Sequence, residues 1–151
     1  MSDSRIIWNI ISIAAPFIAI GLPVIGYLYS YNIYHIYALF GSVTTTLLTE
    51  TLKYNLFYNN TRPKGANGCN LLCNDGDQSG KPGMPSTHSS TTAFIAIYYS
   101  RYMNSPIISM ILFTYYIFVA VARYQKRCHS IEQIFTGGLL GTVIGMLIPI
   151  K

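Results

Sequence analysis

Charged side chains are scarce in this sequence: only 10% of its 151 residues are Asp, Glu, Lys or Arg, whereas 51% are hydrophobic. A soluble domain usually carries about a quarter charged residues, so this composition argues against a soluble globular protein. No charged residue occurs in the 44 residues from Ile6 to Thr49, and a membrane-spanning helix needs about 20 predominantly apolar residues. This stretch alone is long enough for two spans.

Three more uncharged stretches follow, at residues 82–100, 102–122 and 133–150, and each has about the length of one span. The sequence therefore predicts an all-α fold, a polytopic membrane helical bundle with about five transmembrane helices. The predicted helices cover residues 6–29, 34–57, 87–102, 107–123 and 131–150. Only short connections and one long polar loop, residues 58–85, remain, so we expect residues 1–151 to form a single membrane-embedded domain.

Cysteine is also rare, with only Cys69, Cys73 and Cys128 in the chain. An odd number excludes a complete disulfide framework, and Cys69 and Cys73 lack further Cys or His residues at the spacing of a zinc site. A local disulfide or free thiols are the interpretations left for this pair. The redox compartment stays open.

The few charges are unevenly distributed, and ten basic residues against five acidic ones give a net charge of +5. In a soluble protein this excess would suggest a polyanion such as nucleic acid. Counting membrane crossings places the end of helix two, the long loop, the start of helix three, the end of helix four and the start of helix five on one face. Nearly all charged residues lie there, so no nucleic-acid partner is expected.

Three groups of reactive residues fall on this face. They are Lys53 with Arg62-Pro63, the segment 83–88 ending in Ser86-Thr87-His88, and Arg123 with His129. Cations and the amides at a helix N-terminus bind phosphate oxygens. One imidazole can attack phosphorus, and a second can protonate the departing alkoxide. The combination predicts a site for a phosphate ester.

The order Lys, Arg-Pro, Pro-Ser-x-His and Arg-x5-His resembles the three-part signature of the phosphatidic acid phosphatase type 2/haloperoxidase superfamily, from about Glu50 to the C-terminus. The resemblance implies a membrane phosphatase that hydrolyses a lipid phosphate monoester or an isoprenyl diphosphate through a phosphohistidine. It implies no metal and no other cofactor, and a membrane lipid as substrate. The family usually has its site on the outer or lumenal face, and we expect that placement here, although the positive-inside rule favours the cytoplasm. The oligomeric state stays open.

Carried over by position, the resemblance implies a role for each basic residue. His129 is the nucleophile and His88 the acid for the leaving group. The phosphate ligands are Lys53, Arg62, Arg123, Ser86 and the backbone amide of Thr87.

Two positions depart from the family pattern. In the family the lysine lies seven residues before the Arg-Pro pair, a position that Asn55 occupies here, whereas Lys53 lies nine residues before Arg62. A displacement of two residues on a helix corresponds to about 200° of rotation. Lys53 can therefore reach the site only if residues 59–61 loop out. Gln133 replaces the carboxylate that orients the nucleophile, which predicts slower catalysis or a compensating carboxylate such as Glu132 or Glu50.

Other interpretations compete with the catalytic one. The pair of Glu50 and Lys53 can simply neutralise two half-buried charges, and Gln133 can be only the capping-box partner of Ser130. His35, in a tyrosine-rich segment near the opposite face, is interpreted as structural. The alternative function is a catalytically weak or inactive lipid-binding or scaffold protein that retains the phosphatase fold.

Overall fold

The computed structural model describes residues 3–70 and 72–150, and within them the regular secondary structure is helical apart from two isolated β-bridges. The helices are α1 (Asp3–Ser30), α2 (Ile33–Asn55), α3 (Thr87–Met103), α4 (Pro106–Gln125) and α5 (Ile131–Leu147). The predicted all-α fold with five helices is confirmed. Helix α5 ends three residues earlier than predicted, because Ile148 precedes Pro149 and is extended, with φ −70° and ψ 128°.

Two of the five helices are clearly long and apolar enough to cross a membrane, at Arg5–Ser30 and Pro106–Gln125. Helix α5 is apolar but has only 17 residues. Helices α2 and α3 are not among the apolar helices. The five predicted helices are therefore present, and two of those that the structure describes have the length and composition of a membrane span.

The low hydropathy of α3 follows from its position in the bundle. It packs against each of the other four helices, and most of its side chains are buried. Two of its hydroxyl groups bond to carbonyl oxygens one turn earlier in the helix: Thr91 Oγ1 donates to the Thr87 carbonyl at 2.9 Å, and Thr92 Oγ1 donates to the His88 carbonyl at 2.7 Å. A central helix that meets protein on all sides does not need an apolar surface.

Helix α5 lies unusually close to α3 because Gly137, Gly141 and Gly145 follow one another at four-residue spacing on the contact face. A Cβ atom at Gly137 would overlap the Ser86 carbonyl oxygen, and one at Gly141 would overlap that of Ser90. Small residues at this spacing let helix backbones approach. The packing holds the start of α5 against the start of α3.

The opposite end of the bundle has contacts of its own. Arg101 Nη1 donates to the carbonyl oxygens of Gly145 and Met146, at 2.6 and 3.0 Å, and so caps the C-terminus of α5. His35, at the start of α2, has its Nδ1 2.9 Å from the Tyr99 hydroxyl and is buried. The structural interpretation of His35 agrees with this placement, far along α2 from Lys53.

Candidate active site

The predicted groups of residues converge at one end of the bundle, where α2 and α4 end, α3 and α5 begin, and the long loop (residues 56–86) packs on them. The loop is fixed to the α4–α5 turn by a disulfide between Cys69 and Cys128. Neither the local pairing of Cys69 with Cys73 nor free thiols at both positions is correct. Cys73 is the one free cysteine, and its Sγ accepts a hydrogen bond from Lys126 Nζ at 2.7 Å.

His129 is held by two acceptors. Its Nδ1 lies 2.9 Å from the Gly83 carbonyl oxygen and 3.3 Å from Gln133 Oε1, and only 2% of the residue is exposed. Since a carbonyl oxygen only accepts, Nδ1 carries the proton and the lone pair of the neutral ring is on Nε2. This tautomer leaves Nε2 available as a nucleophile.

The electrostatic surroundings of His129 favour the neutral ring. Burial is the largest cause that holds the pKa of this imidazole well below its ordinary value, and the positive charges of Arg123, Arg62 and Lys53 act in the same direction. An unprotonated imidazole at neutral pH is the form that can attack phosphorus.

Gln133 connects three parts of the site. Its Oε1 accepts from the backbone N–H of Ser130 at 3.2 Å and faces His129, and the capping box predicted for α5 is present. Its Nε2 donates to Asn60 Oδ1 at 2.7 Å and to the Thr61 carbonyl at 2.9 Å. The amide therefore satisfies the loop and the histidine together, which a carboxylate cannot do because it lacks donors.

The compensating carboxylates expected from the sequence do not take the place of Gln133. Glu132 is exposed at the position of α5 just before Gln133. Glu50 Oε1 instead accepts from Lys53 Nζ at 2.7 Å and from the Thr87 hydroxyl. The Gly83 carbonyl, which the sequence did not single out, is the nearest acceptor of His129 Nδ1.

Arg62 and Arg123 each use part of the guanidinium to hold the backbone. Arg62 Nη1 donates to the Cys128 carbonyl at 3.2 Å, and Arg123 Nη2 donates to the Cys69 carbonyl at 2.5 Å. Four buried nitrogens, namely Arg62 Nε, Arg123 Nε, Arg123 Nη1 and His88 Nε2, have no hydrogen-bond partner in the part of the chain that the structure describes. Buried donors of this kind are costly unless an acceptor meets them, and a phosphate group has suitable oxygens.

Lys53 reaches this end of the bundle despite its unusual spacing. It is 3% exposed, and its Nζ donates to the Thr87 hydroxyl at 2.7 Å as well as to Glu50. Helix α2 ends at Asn55, and the following turns, with Asn60 N donating to the Phe57 carbonyl, absorb the two-residue displacement. The side chain of Asn55 is exposed and bonds to the Thr51 carbonyl in its own helix.

Ser86 is the N-cap of α3 and Thr87 is its first residue, where the predicted helix also begins. The Ser86 hydroxyl is buried and accepts from Ser89 N at 3.4 Å as the N-cap, and Ser86 N donates to the Gln133 carbonyl at 2.9 Å. The hydroxyl of Thr87 donates a hydrogen bond to Glu50 Oε1 and accepts one from Lys53 Nζ. The side chain of Ser86 therefore has a capping role, and its position as a phosphate ligand stays a prediction.

Two cavities of different polarity border the two histidines. His129 borders a cavity of about 690 Å³ that is lined by polar residues, including Lys64, Arg127 and Glu132. His88 borders a separate apolar cavity of about 500 Å³ between α1, α2 and α3. The cavity beside His88 is thus much more apolar than the one beside His129.

The sequence model of the PAP2 superfamily matches residues 33–150. The matched segment includes every residue of the site just described and leaves out α1. No curated protein and no solved structure matches the chain significantly.

Proposed function

Since the chain belongs to the PAP2 superfamily, whose members are generally phosphatases, we propose that it is an integral membrane phosphatase. Its substrate is a lipid phosphate monoester or an isoprenyl diphosphate, and its intermediate is a phosphohistidine on His129. The observation that carries the proposal is the group of unpaired buried nitrogens of Arg62, Arg123 and His88 beside a neutral, oriented imidazole.

The proposed reaction has two steps. In the first, His129 Nε2 attacks phosphorus, the P–O bond to the lipid breaks, and His88 gives a proton to the leaving oxygen. In the second, water attacks the phosphohistidine, His88 takes the proton, and the P–N bond breaks to release inorganic phosphate. The arginines and Lys53 stabilise the negative charge of the phosphoryl oxygens in both steps.

A lipid substrate is supported by the surface of the bundle. Large apolar side chains are exposed along α1, α4 and α5, including Ile10, Ile25, Met110, Phe135 and Leu147. A soluble monomer rarely exposes apolar surface on this scale, whereas a bilayer would cover it. The proposed site therefore lies at the membrane surface, where a lipid headgroup is found.

The disulfide supports an active face outside the cytoplasm, because disulfides form and persist in oxidising compartments. Lys81→Cys and Tyr29→Cys, each in a Cys73→Ser background, test this orientation, since the two exposed positions lie at opposite ends of the bundle. In sealed vesicles of known sidedness, a membrane-impermeant maleimide should label the first from the extracytoplasmic side only. Labelling from the cytoplasmic side would reverse the orientation.

The activity is tested by phosphate release from a panel of phosphatidate, sphingoid phosphates and isoprenyl mono- and diphosphates, using purified protein in detergent. We expect release from at least one of them, inhibition by vanadate, and loss of turnover in His129→Ala. Unchanged release by His129→Ala would disprove the nucleophile assignment. A matched control is His35→Ala, which removes a buried histidine at the other end of the bundle.

The second candidate is a lipid-binding protein with little or no turnover, and Gln133 in place of a carboxylate favours it. An amide stabilises the imidazolium less than a carboxylate does. Binding of lipid phosphates by the wild-type protein without any release of phosphate, under conditions where the fold is intact, would support this function over the enzyme.

A further inference from the structure

We propose that α1 selects the hydrocarbon tail of the substrate, by forming one wall of the apolar cavity that ends at His88. The inference rests on the proposed phosphatase function. It adds that the cavity binds one part of the substrate, a single apolar chain. Helix α1 lies outside the segment that matches the family, which begins at residue 33.

The cavity has a polar end and an apolar body. Its lining includes Phe17, Ile20 and Gly21 from α1, Leu47 from α2, and Thr87 and His88 from α3. Phe17, Ile20 and Leu47 are among the exposed large apolar residues, at 59%, 41% and 63% exposure, so the cavity is open toward the surface that a bilayer would cover.

The position of His88 determines which way a bound substrate would be oriented in the cavity. His88 is the proposed proton donor to the oxygen that joins the phosphate to the lipid, so that oxygen must lie beside it. The tail starts from this oxygen, and the apolar body of the cavity begins at the same residue. A tail in the cavity thus starts at the N-terminal end of α3, the same end of the bundle as Arg123 and His129.

The volume of about 500 Å³ limits what the cavity can hold. Ligand sites in proteins commonly measure about 300–1,000 Å³. If a methylene takes about the volume of a water molecule, roughly 30 Å³, the cavity accommodates roughly 17 carbons. One hydrocarbon chain therefore fits, and the remainder of a longer chain extends into the bilayer.

A series of primary alkyl phosphates from butyl to hexadecyl tests the proposal on the purified protein. We expect kcat/KM to rise by up to about fourfold per added methylene, the factor equivalent to about 0.8 kcal/mol for each CH₂ removed from water. The rise should level off once the cavity is filled. A kcat/KM that does not depend on chain length would overturn the proposal.

Gly21→Leu shortens the cavity without a backbone clash, because no atom lies within 4 Å of a Cβ at this position. The variant should level off at a shorter chain length than the wild type, when each protein is compared with its own kcat/KM for butyl phosphate. Phe17→Ala enlarges the cavity and should move the plateau to longer chains. Ile25→Phe, at an exposed position of α1 that does not line the cavity, is the control and should match the wild type. Identical chain-length profiles for all four proteins would contradict the selection by α1.

Failure of the proposed function is separable from failure of this inference. If the wild-type protein releases phosphate from no ester, a hexadecyl phosphonate with a diazirine in its tail still tests the cavity by photo-crosslinking and mass spectrometry. Adducts concentrated on Phe17, Ile20 and Leu47, and reduced in Gly21→Leu, support tail binding. Adducts spread equally over the exposed faces of α4 and α5 would show only general contact with lipid and would overturn the inference.

Discussion

Arg123 Nη2 donates a hydrogen bond to the carbonyl oxygen of Cys69 at 2.5 Å, although the two residues are 54 positions apart. The bond fixes a fully buried guanidinium to the long loop and leaves Nε and Nη1 unpaired within the described residues. Cys69 is in turn cross-linked to Cys128, the residue before His129. The loop thus positions both a proposed phosphate ligand and the proposed nucleophile.

Arg123→Lys should lower kcat/KM for the best lipid phosphate roughly 10- to 100-fold. A lysine keeps the charge but cannot hold the Cys69 carbonyl and an anion with one planar fork, and a hydrogen bond to a charged group contributes about 1.5–3 kcal/mol. Arg101→Lys, at the far end of the bundle, is the matched control and should retain activity. Equal effects of the two substitutions would indicate a general loss of stability.

Reduction of the disulfide, or Cys128→Ser, should lower both the thermal midpoint of unfolding and turnover. A cross-link across 59 residues contributes about 2–4 kcal/mol, and its loss releases the carbonyls that hold Arg62 and Arg123. Thermal unfolding and phosphate release, with and without reductant, measure the effect. Cys73→Ser removes the free thiol and should behave like the wild type; if it alone abolished activity, the essential cysteine would be a different one.

The acid limb of the pH profile of kcat/KM should lie below pH 6.5, because the pKa of His129 is lowered and the proposed nucleophile stays neutral in the free protein. In Arg62→Gln the limb should move to higher pH, since the loss of a positive charge makes protonation of His129 easier. Both proteins are measured on the same substrate, so that its own ionisation cancels. A limb that shifts to lower pH in Arg62→Gln would contradict this electrostatic effect.

The same pKa affects stability with a definite sign. The unfolded chain binds a proton at His129 below about pH 6.5, whereas the folded protein does so only at lower pH. The free energy of unfolding should therefore fall as the pH drops below 6.5. Urea unfolding of His129→Gln, compared with the wild type across this range, should show a weaker pH dependence.

Gln133→Glu should lower stability without raising turnover. The new carboxylate oxygen would face Asn60 Oδ1 and the Thr61 carbonyl, which now accept from the amide, and each buried group left unpaired costs about 1–3 kcal/mol. Glu132→Gln makes the reverse exchange at an exposed neighbour and should change stability by at most about 0.5 kcal/mol. A large gain in turnover in Gln133→Glu would instead mean that the amide limits catalysis.

The helices and the motifs that open them could be predicted because they depend on local sequence. Uncharged stretches located the five helices, and Ser86 and Ser130 identified the starts of α3 and α5. Crossing counts then grouped Lys53, Arg62, His88, Arg123 and His129 at one end. These inferences require only that each segment between two helices be short or polar, so that it does not itself cross the membrane.

The contacts within the long loop could not be predicted, because they depend on how a segment without regular structure folds back. Two contacts are of this kind: the disulfide between Cys69 and Cys128, and the hydrogen bond that the Gly83 carbonyl accepts from His129 Nδ1. A backbone carbonyl has no signal in the sequence. The glycine at position 83 was only an indirect signal of close packing. In the structure, a Cβ atom there would lie 2.7 Å from Gln133 Oε1.

The glycine face of α5 determines how a mutational survey of this protein should be interpreted. At Gly137 and Gly141 even alanine would overlap the backbone of α3, so these positions should be as intolerant of substitution as the histidines. Loss of activity alone will not separate residues that react from residues that admit a neighbouring helix. Abundance of folded protein, scored beside activity for every variant, will divide the intolerant positions into those two groups.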